Sequence, residues 1–428
     1  MVVGIEDGKA ELTGWHEFSL VTLLRDRRKT PPTTRRGDIA VRRPYTPPPN
    51  REKSGRPGGP MELELSDEQA EFVATTRRFL AAECPTTATR ALEHDTRGFD
   101  PDVWARGAAL GWTSLLVPES AGGGSLSEHG LADLVLVAEE MGQLVAPGPL
   151  VPVNVVAETL GRHGSVAQQE QLLPGLLDGS TVAAWCGPPA VAARRDGSSL
   201  VLDGRAAPVE AAGQASHLLV TVRLDGELAH VIVPSDAPGL RITPLDGLDL
   251  VRRFAEVSFE GVSLDQTALV GEPQEADRIA RRQLSVACVL GCAETVGAID
   301  RVFTTTLEYR GDRYSFGRPL SSYKALKHRV ADNKMWLESC HAIANAAARA
   351  VAEDRPNADE VVSAAKVWIG PHATELVQDC IQLHGGIGVT WEHDLHLYLR
   401  RVTVNRATYG TPEVHADRIA DHLIGATS

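Results

Sequence analysis

Aromatic residues make up only 5% of this 428-residue chain, so any core must be packed largely with the Ala, Leu and Val that dominate its 43% apolar content. No apolar run reaches the roughly 18 residues that a bilayer span needs, and the expectation is a soluble, cytoplasmic protein. Basic charge is also short. The chain has 43 Lys+Arg against 56 Asp+Glu and a net charge of -13. Residues 1–60 hold 12 Lys+Arg against 7 Asp+Glu, a balance of +5, which leaves -18 on the other 368. An acidic body argues against nucleic-acid binding as the main task. The six cysteines (Cys84, Cys186, Cys288, Cys292, Cys340, Cys380) include one pair four residues apart and no second pair at zinc spacing. Buried free thiols in a reducing compartment are expected, with no metal site. The glycine run Gly122–Gly124 has no Lys-Ser/Thr behind it, so turn chemistry accounts for it better than a phosphate loop.

What is present divides the chain into four. Residues 1–60 carry 8 of the 26 prolines, including TPPPN and RPGGP, and are expected to be a disordered Arg/Pro-rich extension. Arg27-Arg28 has no apolar segment behind it to make an export signal, and Met61 is the expected true start. From 61 to 182, stretches such as LADLVLVAEEMGQLV repeat apolar residues every three or four positions, the helical period. From 183 to 275 the period falls to two, in SLVLDG, HLLVTVRLDG, LAHVIVPS and AEVSFEGV, which predicts a small antiparallel β-domain. From 276 to 428 long helices return, four of them, suited to a bundle. The fold class is α+β.

Two stretches are more specific than any period. RYSFGRPLSSYKALKHRVAD (313–332) carries R-x-x-F-G-x-P, and QLHGGIGVTWEHDLHLYLRRVTVNRATYGT (382–411) carries a Gly-Gly pair, adjacent arginines and a Gly-Thr. Together they resemble the C-terminal signatures of the acyl-CoA dehydrogenase family, without a gap from Glu392 through Thr411. VPESAGGGS (117–125) resembles the family's N-terminal helical domain. The resemblance covers about 61–428 and implies helices, then strands, then a four-helix bundle. It also implies FAD, an acyl-CoA substrate undergoing α,β-dehydrogenation, and an electron-transfer flavoprotein as partner. A homo- or heterotetramer is implied as well, each FAD being shared between two subunits.

By the same resemblance, Arg313 reaches the FAD pyrophosphate across a subunit boundary, where a guanidinium fork suits a diphosphate. Phe316 packs near the adenine, and Gln382 with Gly385 and Gly386 cradles the same cofactor from the neighbouring chain. Lys324 stands where the family has a glutamine, and Thr411 matches an FAD-contacting threonine. The departures are as informative. Tyr409 occupies the position of the catalytic glutamate, and a phenol with pKa near ~10 is a proton donor at neutral pH. The alternative base position falls at Ala287. Glu413 is the nearest substitute base and replaces a glutamine; Glu294, two turns from Ala287, is too far. Glu392 reads as an acid paired near the arginines, and His384, His393 and His396 as surface or cap residues. In the β-domain, WCGPPAVAARRDG (185–197) replaces a flavin-touching loop, and Pro208-Val209-Glu210 replaces Trp-Ile-Thr. Two readings follow: a flavin dehydrogenase in its own right, or the non-catalytic partner of a glutamate-bearing sister subunit in an α2β2 enzyme.

Overall fold

The computed structural model describes residues 65–425; the extension expected at 1–60, and Met61, lie outside them. Ser66 opens helix α1 (Asp67–Glu83) with a capping box, its hydroxyl accepting from the Gln69 N–H while the Gln69 side chain accepts from its own N–H. Two short helices follow, α2 (Thr86–Ala91) and α3 (Pro101–Ala109), the latter with Asp100 at its cap and proline in its first turn. Helices α4 (Gly130–Leu144), α5 (Leu150–His163) and α6 (Val166–Leu177) complete the N-terminal helical layer.

Six strands form one sheet: β1 (Ala183–Asp196), β2 (Ser199–Glu210), β3 (His217–Leu224), β4 (Glu227–Pro234), β5 (Leu240–Leu245) and β6 (Phe254–Asp265), in the order β4-β3-β1-β2-β6-β5. The expected antiparallel sheet is corrected at one ladder. Strands β1 to β4 alternate in direction, but β3 lies beside β1 rather than β2 and so pairs with it in parallel. A second correction concerns 185–197, expected as a loop. Strand β1 runs through it, with a register break between Cys186 and Val191, where Pro188 and Pro189 have no N–H to offer a ladder. The sheet has its own apolar core, centred on Leu200, Leu202, Leu218, Val220, Val257 and Val262.

The C-terminal region is built on α7 (Ala276–Asp312). A two-residue-per-strand hairpin, β7 (Tyr314–Ser315) and β8 (Arg318–Pro319), leads to α8 (Lys324–Ala352) and α9 (Ala358–His384). The chain then adds α10 (Leu395–Ala407) and α11 (Pro412–Gly425), so a fifth helix lies inside the stretch read from sequence as a motif. One continuous apolar core joins these helices to the N-terminal layer. Glycine makes that junction possible: a Cβ on Gly297 would fall 1.9 Å from the Glu139 carbonyl, and one on Gly142 2.0 Å from that of Glu294, so α4 and α7 touch backbone to backbone. All six cysteines are buried and free. Among the described residues, no helix is long and apolar enough to cross a membrane.

Candidate functional site

The residues singled out from sequence fall on two faces. The first is a buried cleft where the sheet meets the bundle. Tyr409 sits between α10 and α11 at φ +60°, a left-handed conformation that strains a bulky residue. Its ring packs 5.9 Å from Trp185 on β1, whose indole N–H donates to Gln283 of α7 at 3.0 Å. The phenol O–H donates to the Glu210 carboxylate, on β2, at 2.7 Å. Glu210 is also clamped by Arg252, from the β5–β6 connection: Nε donates to one carboxylate oxygen at 2.8 Å and an Nη to the other. Arg252 reaches on to Asn405 of α10 and lies 3.5 Å from Glu294 of α7.

A second buried arginine, Arg401, pairs with Asp249 at 2.6 Å and with Glu294. Each of these three carboxylates and two guanidiniums is paired, and the extra carboxylate charge is met by further N–H and O–H donors, as burial demands. Burial draws the Arg252 guanidinium down, but the Glu210 and Glu294 carboxylates outweigh it and hold it well above its usual range. Burial, then the Glu210 carboxylate, pushes the Tyr409 phenol well above its ordinary value. Asp249 is raised by burial but, against that, is pulled by Arg401 to about 2. Behind Tyr409 stands buried His415. Its Nε2–H donates to the Tyr409 carbonyl at 3.1 Å, so Nδ1 accepts from the Ser363 hydroxyl at 3.1 Å. Burial lowers its pKa to about 4. On its far side lies a cavity of about 380 Å³ between α7, α9 and α11, rimmed by Arg281 and Arg418.

The second face is open. Arg313 caps α7, exposed, and its guanidinium makes no hydrogen bond or ion pair with any described residue. Phe316, at the turn of the β7–β8 hairpin, is 97% exposed. Lys324 is exposed at the start of α8, and Gln382 lies near the end of α9. Gly385 turns the chain at φ +68°, and a Cβ on either it or Gly386 would meet nothing within 4 Å. His384, beside them, is buried rather than at the surface: it stacks 4.3 Å from Tyr309 and its Nδ1 bonds the Cys380 carbonyl.

Two readings change. Glu413 is in solvent, 3.8 Å from Arg406, and its carboxyl is lowered chiefly by a hydrogen bond with Thr411, the opposite of a desolvated base. Glu392 is exposed; the acids that hold arginines here are Asp394, on Arg90, and Asp249 and Glu294, on Arg401. Ala287 is fully buried and carries no acid.

Residues 66–180 match the family described as acyl-CoA dehydrogenase, N-terminal domain, and residues 278–424 match acyl-CoA dehydrogenase, C-terminal domain. The acyl-CoA dehydrogenase IpdE2 of Mycobacterium tuberculosis is 30% identical over 332 residues, 76% of this chain and 88% of that protein. The chain belongs to the acyl-CoA dehydrogenase family. IpdE2 of Mycolicibacterium smegmatis is 27% identical over 83% of this chain and 98% of its own length. Among solved structures, a variant of the Tcur3481-Tcur3483 steroid ACAD superposes with a TM-score of 0.76 at 27% identity, covering 85% of this chain and 99% of its own. The ChsE4-ChsE5 complex from Mycobacterium tuberculosis shares the fold, with a TM-score of 0.77 at 24% identity over 85% of this chain and 99% of its own.

Whether a flavin suits an acyl-CoA dehydrogenase chain with these residues differs between the two faces. The open face offers an uncommitted guanidinium, which fits a dinucleotide's phosphates, and a glycine pair with free space above it. The cleft does not fit the ring. A planar ring keeps roughly 3.5 Å to the atoms on either side, so its walls must stand about 7 Å apart, whereas Glu210 and Tyr409 touch at 2.7 Å. The sequence marks Glu210 as a departure but points to neither its partner Arg252 nor Asp249, Arg401 and Asn405. Glu210 and Arg252 are 42 positions apart, and no spacing rule joins them.

Proposed function

We propose that this chain serves acyl-CoA α,β-dehydrogenation as the subunit that shares a flavin site rather than owning one. It pairs with a glutamate-bearing sister subunit, in a heterotetramer of α2β2 type, with an electron-transfer flavoprotein as electron acceptor. FAD, held at the subunit junction, supplies the hydride acceptor. To such junctions this chain gives Arg313 for the pyrophosphate, Phe316 for the adenine end and Lys324 on one side, and Gln382, Gly385 and Gly386 on the other. Thr411 on this chain is engaged by Glu413, whose negative charge disfavours a second phosphate there. The observation that carries the reading is an uncommitted Arg313 and an open glycine pair, set against a cleft that offers a neutral phenol where a base is needed.

The base that removes the α-proton therefore belongs to the sister chain. The substrate is an acyl-CoA, and the steroid-linked name among the similar structures points to ring-bearing side-chain thioesters as the class to try first. The decisive experiment is Arg313→Ala in the purified complex. FAD affinity falls at least tenfold, because a charge-assisted pair worth about 1.5–3 kcal/mol is lost, and retained flavin falls with it. Unchanged flavin content sinks the assignment.

A further inference from the structure

The cleft is closed from within. In a fold whose sheet and bundle would otherwise leave a gap, this chain has driven a carboxylate, a guanidinium and a phenol into the interior and satisfied each against the others. Glu210 comes from the sheet, Arg252 from the connection behind it, and Tyr409 from the turn between the last two helices. Each bond crosses from one element to another, and Asn405 and Glu294 continue the network into α10 and α7. Ion pairs this deep contribute little net stability compared with apolar packing of the same volume. Their value lies in specifying a geometry and in leaving no room.

We propose that Glu210, Arg252 and Tyr409 form a built-in occupant of this chain's own cleft, cementing the sheet to the bundle where a flavin ring would otherwise lie. This rests on the shared-site reading but concerns different residues, buried where that surface is exposed, so the two can fail separately. The occupant explains two features together. The left-handed strain at Tyr409 is held because its hydroxyl has a fixed acceptor. Trp185, which would face a ring, instead lies against Tyr409.

The test uses the purified complex and two paired variants, with tryptophan fluorescence quenching by added FAD and the flavin-to-chain ratio as readouts. The emptied variant, Glu210→Thr with Arg252→Ala, lowers the melting temperature by about 5 °C or more. It also gains FAD-dependent quenching and a flavin-to-chain ratio well above wild type. The filled but uncharged variant, Glu210→Leu with Arg252→Met, melts within a few degrees of wild type and gains neither. An emptied variant that melts like wild type overturns the cement. FAD uptake by the filled variant, or an emptied and folded variant that takes up none, overturns the occupancy. Should the emptied variant fail to fold, the cement stands and the filled variant alone decides the rest. If Arg313→Ala leaves flavin untouched while these variants behave as stated, the shared-site reading falls and the occupant survives.

Discussion

The two faces of this chain differ in where their polar groups find partners. In the cleft, Glu210, Arg252, Asp249, Arg401 and Tyr409 are completed within the chain. On the outer face, Arg313 is left to solvent and Gly385 and Gly386 look onto empty space. Polar groups closed upon one another need nothing from outside, whereas exposed ones are met by water. The difference teaches that one fold can seal one polar cluster completely and leave another accessible.

The comparison is broken most severely at Arg252. Arg252→Ala strands Glu210 as a buried anion and costs about 3–5 kcal/mol, read as a lower urea midpoint at constant m-value. An exposed-face change such as Lys324→Ala leaves the midpoint in place. Should both behave alike, the contrast between the faces is false.

A smaller effect comes through His415. Its folded pKa, about 4, lies below the ordinary 6.5. The unfolded chain therefore binds the extra proton between those values, and stability is lost as pH falls from about 6.5 to about 4. The loss reaches about 3 kcal/mol at most. His415→Gln flattens that part of the stability–pH curve. A curve as steep as wild type excludes His415 as its source.

The smallest expected effect is none. Tyr409→Glu supplies a carboxylate but sets it against Glu210, so acyl-CoA turnover stays at background. Measurable turnover from that single change shows that the cleft is not closed in solution.

How much of this is legible from the residues alone follows from what kind of contact is involved. Helix and strand periods locate α4, α5, α7, α9 and most of the sheet, because burial of one face imposes a local repeat. The strand through 185–197 escapes them because Gly187-Pro188-Pro189 breaks the period while the chain on either side still pairs. Arg313 and the glycine pair stand out because a motif keeps them close in sequence. Glu210 shows only as something missing from a pattern; its partners lie 42 and 199 positions away, and the fold alone brings them together. Glu413 misleads for a related reason: four residues past Tyr409 places it nearby but says nothing about which side faces water.

Helix α9 runs from one face to the other, with Pro371 inside it. Lys366, buried on it, donates to the carbonyls of Asn405 and Thr408 at the end of α10, 2.8 and 2.7 Å away, and so pins the segment that leads into Tyr409. The same helix ends at His384, where the outer glycines begin. From Lys366 to Gln382 is about 24 Å at 1.5 Å per residue, spanned by a single strut. A sister chain gripping the far end would therefore feel any loosening at the near end as a displacement of its own docking partner.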